Sequence, residues 1–185
     1  MSETLKTIAE RYSCRDFADT PLTEDQVKAL VEAALAAPSA MNRQPWHVIA
    51  VTDKSLIDEM DSDSMEILAA EDQSTYERIK SRGGKIFYNA PSMIMIASDG
   101  SDHALTDCGI LSQNVALAAH SLGLGNVICG MARIPLNGSR GDEWRERMQF
   151  PEGYGFGMAV LVGTAKSGKA PHKPDMNKVT YIVKK

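Results

Sequence analysis

Arg11, Ser13 and Arg15 stand two residues apart in RYSCRDF. In extended chain, side chains alternate, so all three point to one side. Two guanidinium forks and a hydroxyl in that arrangement suit a terminal phosphate, which offers planar acceptor edges and nearly two negative charges. The competing use of Arg15 is a surface ion pair with Asp16 or Asp19. A second basic group, Lys166, Lys169, His172 and Lys173, lies towards the other end of the chain. Alone it reads as a solvated loop. Brought against Arg11 and Arg15 by the fold, it would complete one anion site.

A second constellation is PSAMNRQPWHVIAV, from Pro38 to Val51. It offers small and amide-bearing residues, Ser39, Ala40, Asn42 and Gln44, on a loop held between a helix and a strand. Such a loop suits the edge of a planar polar ring, which needs hydrogen bonds and close approach more than charge. An ordinary helix-to-strand connection has the same signature. The third is GLGNVICG, from Gly123 to Gly130. It is not a dinucleotide fingerprint, because the spacing differs from GxGxxG and the glycines follow a helix instead of opening one. It reads as a helix C-cap at Gly123 or Gly125, a short strand, and a free backbone N–H at Cys129 or Gly130 that could face a ligand. Cys129 has no base assigned to it by sequence and reads as a buried structural thiol.

Several chemistries are unsupported. The chain has neither GxxxxGK[ST] nor GxSxG. His47, His103, His120 and His172 are scattered without metal-ligand spacing, so no metal site is expected. The net charge is −4 over 185 residues, which gives a nucleic-acid surface no general electrostatic support. No apolar run is long enough to cross a bilayer. The first residues, MSETLKTIAERYS, lack the apolar core of a signal peptide, and the cysteines, Cys14, Cys108 and Cys129, form no CxxC. The expectation is a cytoplasmic protein with reduced thiols. Ten methionines are unusual beside four phenylalanines. Met93 and Met95 read as core, whereas Met41 and Met131 are candidates for a pliable pocket.

The elements that would position these groups follow from periodicity. Leu5, Ile8, Ala9 and Tyr12 predict a short amphipathic helix. Thr23-Glu24-Asp25-Gln26 is a capping box opening a helix that Pro38 stops. Strands are expected at 48–51, 92–97, 126–128, 154–163 and 179–183, with Asp53 capping a helix and Gly155 and Gly157 marking a bulge or close approach. Residues 61–82 read as helices with a mobile connection. The most apolar helix is expected over 106–122, and another near 139–149. About five strands mixed with helices give α+β or α/β with a single sheet, with no linker dividing residues 1–185 into more than one domain.

In order, RYSCR, PSAMNRQPW, GLGNVICG and a basic Pro-containing loop before a final strand resemble the FMN-dependent nitroreductase family. The resemblance covers nearly the whole chain, least over 61–82. It implies an α+β fold, a central, mostly antiparallel sheet flanked by helices, with a C-terminal segment reaching onto the partner of an obligate homodimer. It implies FMN at the interface, with Arg11, Ser13 and Arg15 on its phosphate and part of the ring edge. Pro38, Ser39, Ala40 and Asn42 would line the flavin of the other subunit, with Gln44 close by. The Cys129-Gly130 backbone would face the N5 edge, and Lys169, His172 or Lys173 would complete the phosphate site. Where many members carry Arg-Lys or Lys-x-Arg in that loop, this chain has Lys169-Ala-Pro-His172-Lys173-Pro, and its middle region is short. The implied activity is NADH- or NADPH-driven reduction of a planar nitroaromatic or quinone acceptor by a ping-pong mechanism, without a catalytic side chain, since the flavin carries the chemistry. The alternatives are another flavin chemistry, reductive dehalogenation or oxidase-like, and a flavin store or sensor without turnover.

Overall fold

The computed structural model describes residues 1–183. Four antiparallel strands form its sheet in the order β1-β2-β4-β3. They are β1 (Trp46–Val51), β2 (Ser92–Ser98), β3 (Gly125–Ile128) and β4 (Gly155–Gly163). The helices are α1 (Glu3–Glu10), α2 (Glu24–Leu35), α3 (Lys54–Glu71), α4 (Gln73–Lys80), α5 (Ala104–Ser121), α6 (Arg133–Asn137) and α7 (Gly141–Arg147). This is the expected α+β arrangement, a central antiparallel sheet flanked by helices.

Alternation along the strands divides the core into two layers. Met93, Met95, Ala159 and Leu161 face a cluster with Ile57, Met60, Leu136 and Trp144, on the side of α3, α6 and α7. Ile94, Ile96, Val160 and Val162 face Leu30, Ala34, Leu111 and Val115, on the side of α2 and α5. β2 is buried throughout, which explains its continuous apolar run. Met93 and Met95 are core residues as expected, whereas Met41 is 86% exposed. No helix among the described residues is long and apolar enough to cross a membrane.

Local signals were faithful where partners lie nearby in sequence. Thr23 and Gln26 form the capping box reciprocally. The Asp53 carboxylate accepts the Ser55 and Leu56 N–H groups at the start of α3. Gly123, at φ +75°, provides the left-handed cap after α5, leaving Gly125 to the strand.

The patchy pattern over 61–82 has a physical cause. Asp61, Asp63 and Ser64 lie on the buried side of α3 and break its apolar stripe. Asp61 accepts the Ile86 and Phe87 N–H groups, Asp63 accepts the Trp144 indole N–H, and Ser64 donates to the Met60 carbonyl. Burial outweighs the Ile86 and Phe87 donors and pushes the Asp61 carboxyl above its ordinary range. A single residue, Asp72, joins α3 to α4 and caps the latter.

One expectation needs correction. Val179–Val183 forms no strand: this segment follows a short turn at Met176–Lys178, is exposed, and pairs with no strand among the described residues. The sheet therefore has four strands, where about five were expected. Pro135 obscures α6 in the sequence, yet it sits in the first turn, where a missing N–H costs little.

Gly157 proves to be both bulge and close approach. The β2–β4 register skips it, pairing Ile96 with Met158 and Ala97 with Phe156. A Cβ there would stand 2.8 Å from Cys108 Sγ and 2.9 Å from the Ile96 carbonyl oxygen. Because one obstacle is backbone, Gly157→Ala is expected to destabilise the fold by about 1–3 kcal/mol, read as a lower urea midpoint at unchanged slope.

Candidate flavin-type site

The segment after α1 is laced along β3 and the chain leaving β4. Ser13 pairs parallel with Asn126, and Phe17 antiparallel with Ala165. The Cys14 N–H donates to the Asn126 carbonyl and the Ala18 N–H to the Thr164 carbonyl, both at 2.8 Å. Cys14 and Phe17 are buried, at 2% and 0% exposure. Arg11, Ser13 and Arg15 lie among the residues lining one outward pocket.

That pocket, of about 360 Å³, is lined by Arg11, Tyr12, Ser13, Arg15, Lys169, Ala170, Pro171 and His172. The fold thus brings the two basic groups together. The Tyr12 hydroxyl donates to the Ser167 carbonyl at 3.2 Å and the Lys166 N–H to the Asp16 carbonyl at 3.0 Å, fastening the loop to the segment. Asp16, a possible partner of Arg15, instead approaches Lys166 at 3.8 Å. Among the described residues, Arg11, Arg15, Lys169 and His172 form no ion pair. Several cations in one concavity of an acidic chain, without carboxylates to neutralise them, fit a phosphate. Lys173 is exposed on the same loop but does not line the pocket.

Loop 38–44 is constrained at several points. Met41, Asn42 and Gln44 all have φ between +51° and +54°, a left-handed conformation that persists only when surroundings enforce it. The Gln44 N–H donates to Ser39 Oγ at 2.9 Å, and the Gln44 amide donates to Asn42 Oδ1 at 3.2 Å. The Ala40 N–H meets both carboxylate oxygens of Asp107, at 3.2 and 3.3 Å. Asp107 lies in the first turn of α5 and is 4% exposed. A shallow pocket of about 310 Å³ joins Pro38, Ser39 and Ala40 to His103, Thr106, Asp107 and Ile110. Asn42 and Gln44 stand outside its lining and are exposed.

The four α5-side residues of this pocket were not singled out from sequence. Asp107 reads in the sequence like any acidic residue in the first turn of a helix. Only its contact with a residue 67 positions earlier reveals its role.

At the third constellation the structure decides between two alternatives. The Cys129 N–H is not free, because it donates to the Ala159 carbonyl at 2.8 Å. The Gly130 N–H, at the start of a single helical turn, has no partner among the described residues. Burial, offset by the Met131 and Ala132 N–H groups, pushes the Cys129 thiol up to about 11, so it is protonated and unreactive at neutral pH. Among the described residues, no three His, Cys, Asp or Glu side chains gather to hold a metal.

Comparison with known proteins places this geometry. The Nitroreductase family pattern matches residues 8–164. The chain belongs to the nitroreductase family. A nitroreductase from Desulfitobacterium hafniense DCB-2, crystallised with bound FMN, is 50% identical with a TM-score of 0.95, over 99% of this chain and 100% of that one. A nitroreductase with bound FMN from Bacteroides fragilis NCTC 9343 shares the fold at a TM-score of 0.88 and 22% identity, over 99% of this chain and 100% of that one. FMN reductase (NADPH) of Bacillus subtilis (strain 168) is 28% identical over 192 residues, covering 94% of this chain and 71% of its own.

Asp107→Ala leaves the Ala40 N–H without its acceptor. The expected loss is about 1–3 kcal/mol, with faster hydrogen exchange at Ala40 than in Asp107→Asn, which keeps an acceptor oxygen.

Proposed function

We propose that this protein is an FMN-dependent NAD(P)H oxidoreductase that works as a homodimer on planar nitroaromatic or quinone-type acceptors. The observation that carries the reading is the pocket in which Arg11, Ser13 and Arg15 meet Lys169 and His172. Such a pocket suits a phosphate monoester, and the similarity to the FMN-bound protein of Desulfitobacterium hafniense supports a flavin as its bearer.

What one chain leaves apart supports the homodimer reading. The phosphate-type pocket and the pocket beneath loop 38–44 share no lining residue. A second copy would bring Pro38, Ser39 and Ala40, with Asn42 and Gln44 behind them, over the ring of a flavin held by the first. The faces available for association support this. Helix α1 is amphipathic but has no buried residue, leaving Leu5 and Ile8 exposed. Leu105 and Ile110 of α5 and Tyr181, Ile182 and Val183 near the C-terminus are exposed as well. The last three are the segment proposed to reach onto the partner.

Bound FMN supplies the hydride chemistry, taking electrons from NADH or NADPH and passing them to the acceptor in a ping-pong sequence. The chain's own residues bind and orient. Arg11, Arg15, Lys169 and His172 neutralise the phosphate, and the Ser13 hydroxyl donates to it. The Gly130 N–H would be the donor to the ring, whereas Cys129 would contribute backbone position only. Asp107 holds Ala40 of its own chain in place. No side-chain nucleophile or acid is required.

The test is the visible spectrum of the purified, FMN-saturated protein before and after anaerobic addition of NADH or NADPH. The expected result is a bound-flavin spectrum that bleaches and returns when a quinone is added. A flavin spectrum that neither nucleotide bleaches contradicts the oxidoreductase reading and favours a store or sensor. Failure to take up FMN contradicts the site assignment itself.

A further inference from the structure

We propose that the cavity at the start of α5 is an acceptor lobe, which lets the protein take fused-ring quinones whose outer ring carries a neutral hydroxyl or carbonyl group. The inference rests on the FMN reading above and names the acceptor class of that same site.

The cavity, of about 580 Å³, lies between the β2–α5 connection, the first turn of α5 and the start of β4. It shares His103 and Thr106 with the pocket beneath loop 38–44, so the two spaces meet at the first turn of the helix. In the proposed dimer, an acceptor lying on the partner's flavin beside Pro38, Ser39 and Ala40 has open space on the His103 side. The pocket under the loop holds about 310 Å³, and with the lobe beside it there is room for a ligand longer than one ring.

The walls of the lobe are fixed by the fold. Ser98, at the end of β2, pairs with Trp46 on one side and with Gly155 on the other. The Asp99 N–H donates to the Pro45 carbonyl at 3.1 Å, which ties the connection to the end of loop 38–44. The Gly100 N–H donates to Ser98 Oγ at 3.2 Å, the Ser101 N–H to Asp99 Oδ1 at 2.9 Å, and the Ala104 N–H to the Ser101 carbonyl at 3.0 Å. His103 follows at φ +69°, an uncommon conformation for a non-glycine residue. Gly153 and Gly155 line the β4 side, and a Cβ on either would meet no atom within 4 Å. The absence of side chains at these two positions keeps the volume open.

The chemistry of the lining selects the ligand. Ser101, Thr106 and His103 offer hydroxyl and imidazole groups to a neutral polar substituent. No Arg or Lys is among the lining residues, and Asp102 adds a carboxylate. A nucleotide diphosphate calls for cations and is repelled by a carboxylate, so the lobe suits an acceptor and not the tail of NADH or NADPH. Fused aromatic rings are flat and rigid, so they lose little freedom on entering a space whose walls are already set.

The experiment is steady-state quinone reduction by the FMN-saturated protein, with para-benzoquinone, a naphthoquinone and a hydroxylated anthraquinone as acceptors. Gly155→Leu places a side chain in the lobe without a backbone clash, because Gly155 has no positive φ and its Cβ position is open. Gly155→Ala is the milder variant, and retained FMN shows that each is folded. The native chain is expected to have its lowest KM for the anthraquinone. Gly155→Leu should raise that KM about tenfold and the para-benzoquinone KM less than about twofold, with Gly155→Ala in between. Equal changes for all the acceptors, or no change, overturn the lobe. A rise confined to the KM for NADH or NADPH also overturns it, since the cavity would then serve the donor. Should Gly155→Leu not hold FMN, the ratio of the two KM values in Gly155→Ala decides, and a native-like ratio overturns the lobe. All these results leave the FMN reading standing. Failure of the native chain to bind FMN, or to reduce any quinone, overturns that reading and this inference with it.

Discussion

The rest of the site depends on how the chain just after α1 threads between β3 and the exit of β4. The Cys14 N–H takes the Asn126 carbonyl, and Ala18 and Lys166 donate to the carbonyls of Thr164 and Asp16. These bonds join residues at opposite ends of the sequence, and they require room. A Cβ on Gly125 would stand 2.8 Å from Cys14 Sγ, so the strand beside the crossing carries a glycine. With Cys14 and Phe17 fixed in the core, Arg11, Ser13 and Arg15 come to face the C-terminal loop. Repulsion among these cations is tolerated because the crossing is held by backbone hydrogen bonds and buried side chains. The pocket is thereby preorganised for an anion, and no charge has to be gathered when the ligand arrives.

A similar economy governs the second half of the site. The loop from Pro38 to Gln44 holds three non-glycine residues at positive φ, a conformation costing of the order of 1 kcal/mol or more each. Short-range bonds through Ser39 and Asn42 shape the loop, and the buried Asp107 fixes it to α5. The same helix exposes Leu105 and Ile110 along its outer side. One helix thus supports the loop and carries part of the exposed apolar surface proposed to meet a second copy. In the proposed dimer, association and flavin binding are coupled, because the ring is enclosed only when both chains are present.

What could be read in the sequence follows the range of the interactions involved. The capping box at Thr23, the Asp53 cap, the buried strand expected at 92–97 and a glycine cap at Gly123 or Gly125 are decided by neighbours a few residues away, and all were legible. The period-two spacing of Arg11, Ser13 and Arg15 was also legible, although its meaning waited on the crossing that sets His172 beside it. Asp107 was not legible, because its partner lies 67 residues away. The β-branched run at Val179–Val183 misled, since propensity for extended chain does not supply a sheet edge to pair with. The choice between the Cys129 and Gly130 N–H groups was not legible, because it depends on β4 continuing past the end of β3, where the Ala159 carbonyl takes the Cys129 N–H.

The central claim is that each flavin site is built from the phosphate pocket of one chain and loop 38–44 of another. Co-expression of two differently tagged variants tests it directly, with the mixed dimer isolated through both tags. Arg15→Ala disables the pocket, and Ala40→Trp blocks the loop. The account predicts that each variant alone takes up little FMN, whereas the mixed dimer regains one native-like site, because one of its two interfaces joins an intact pocket to an intact loop. A mixed dimer that binds no more FMN than its parents would contradict the account, since pocket and loop would then have to come from the same chain.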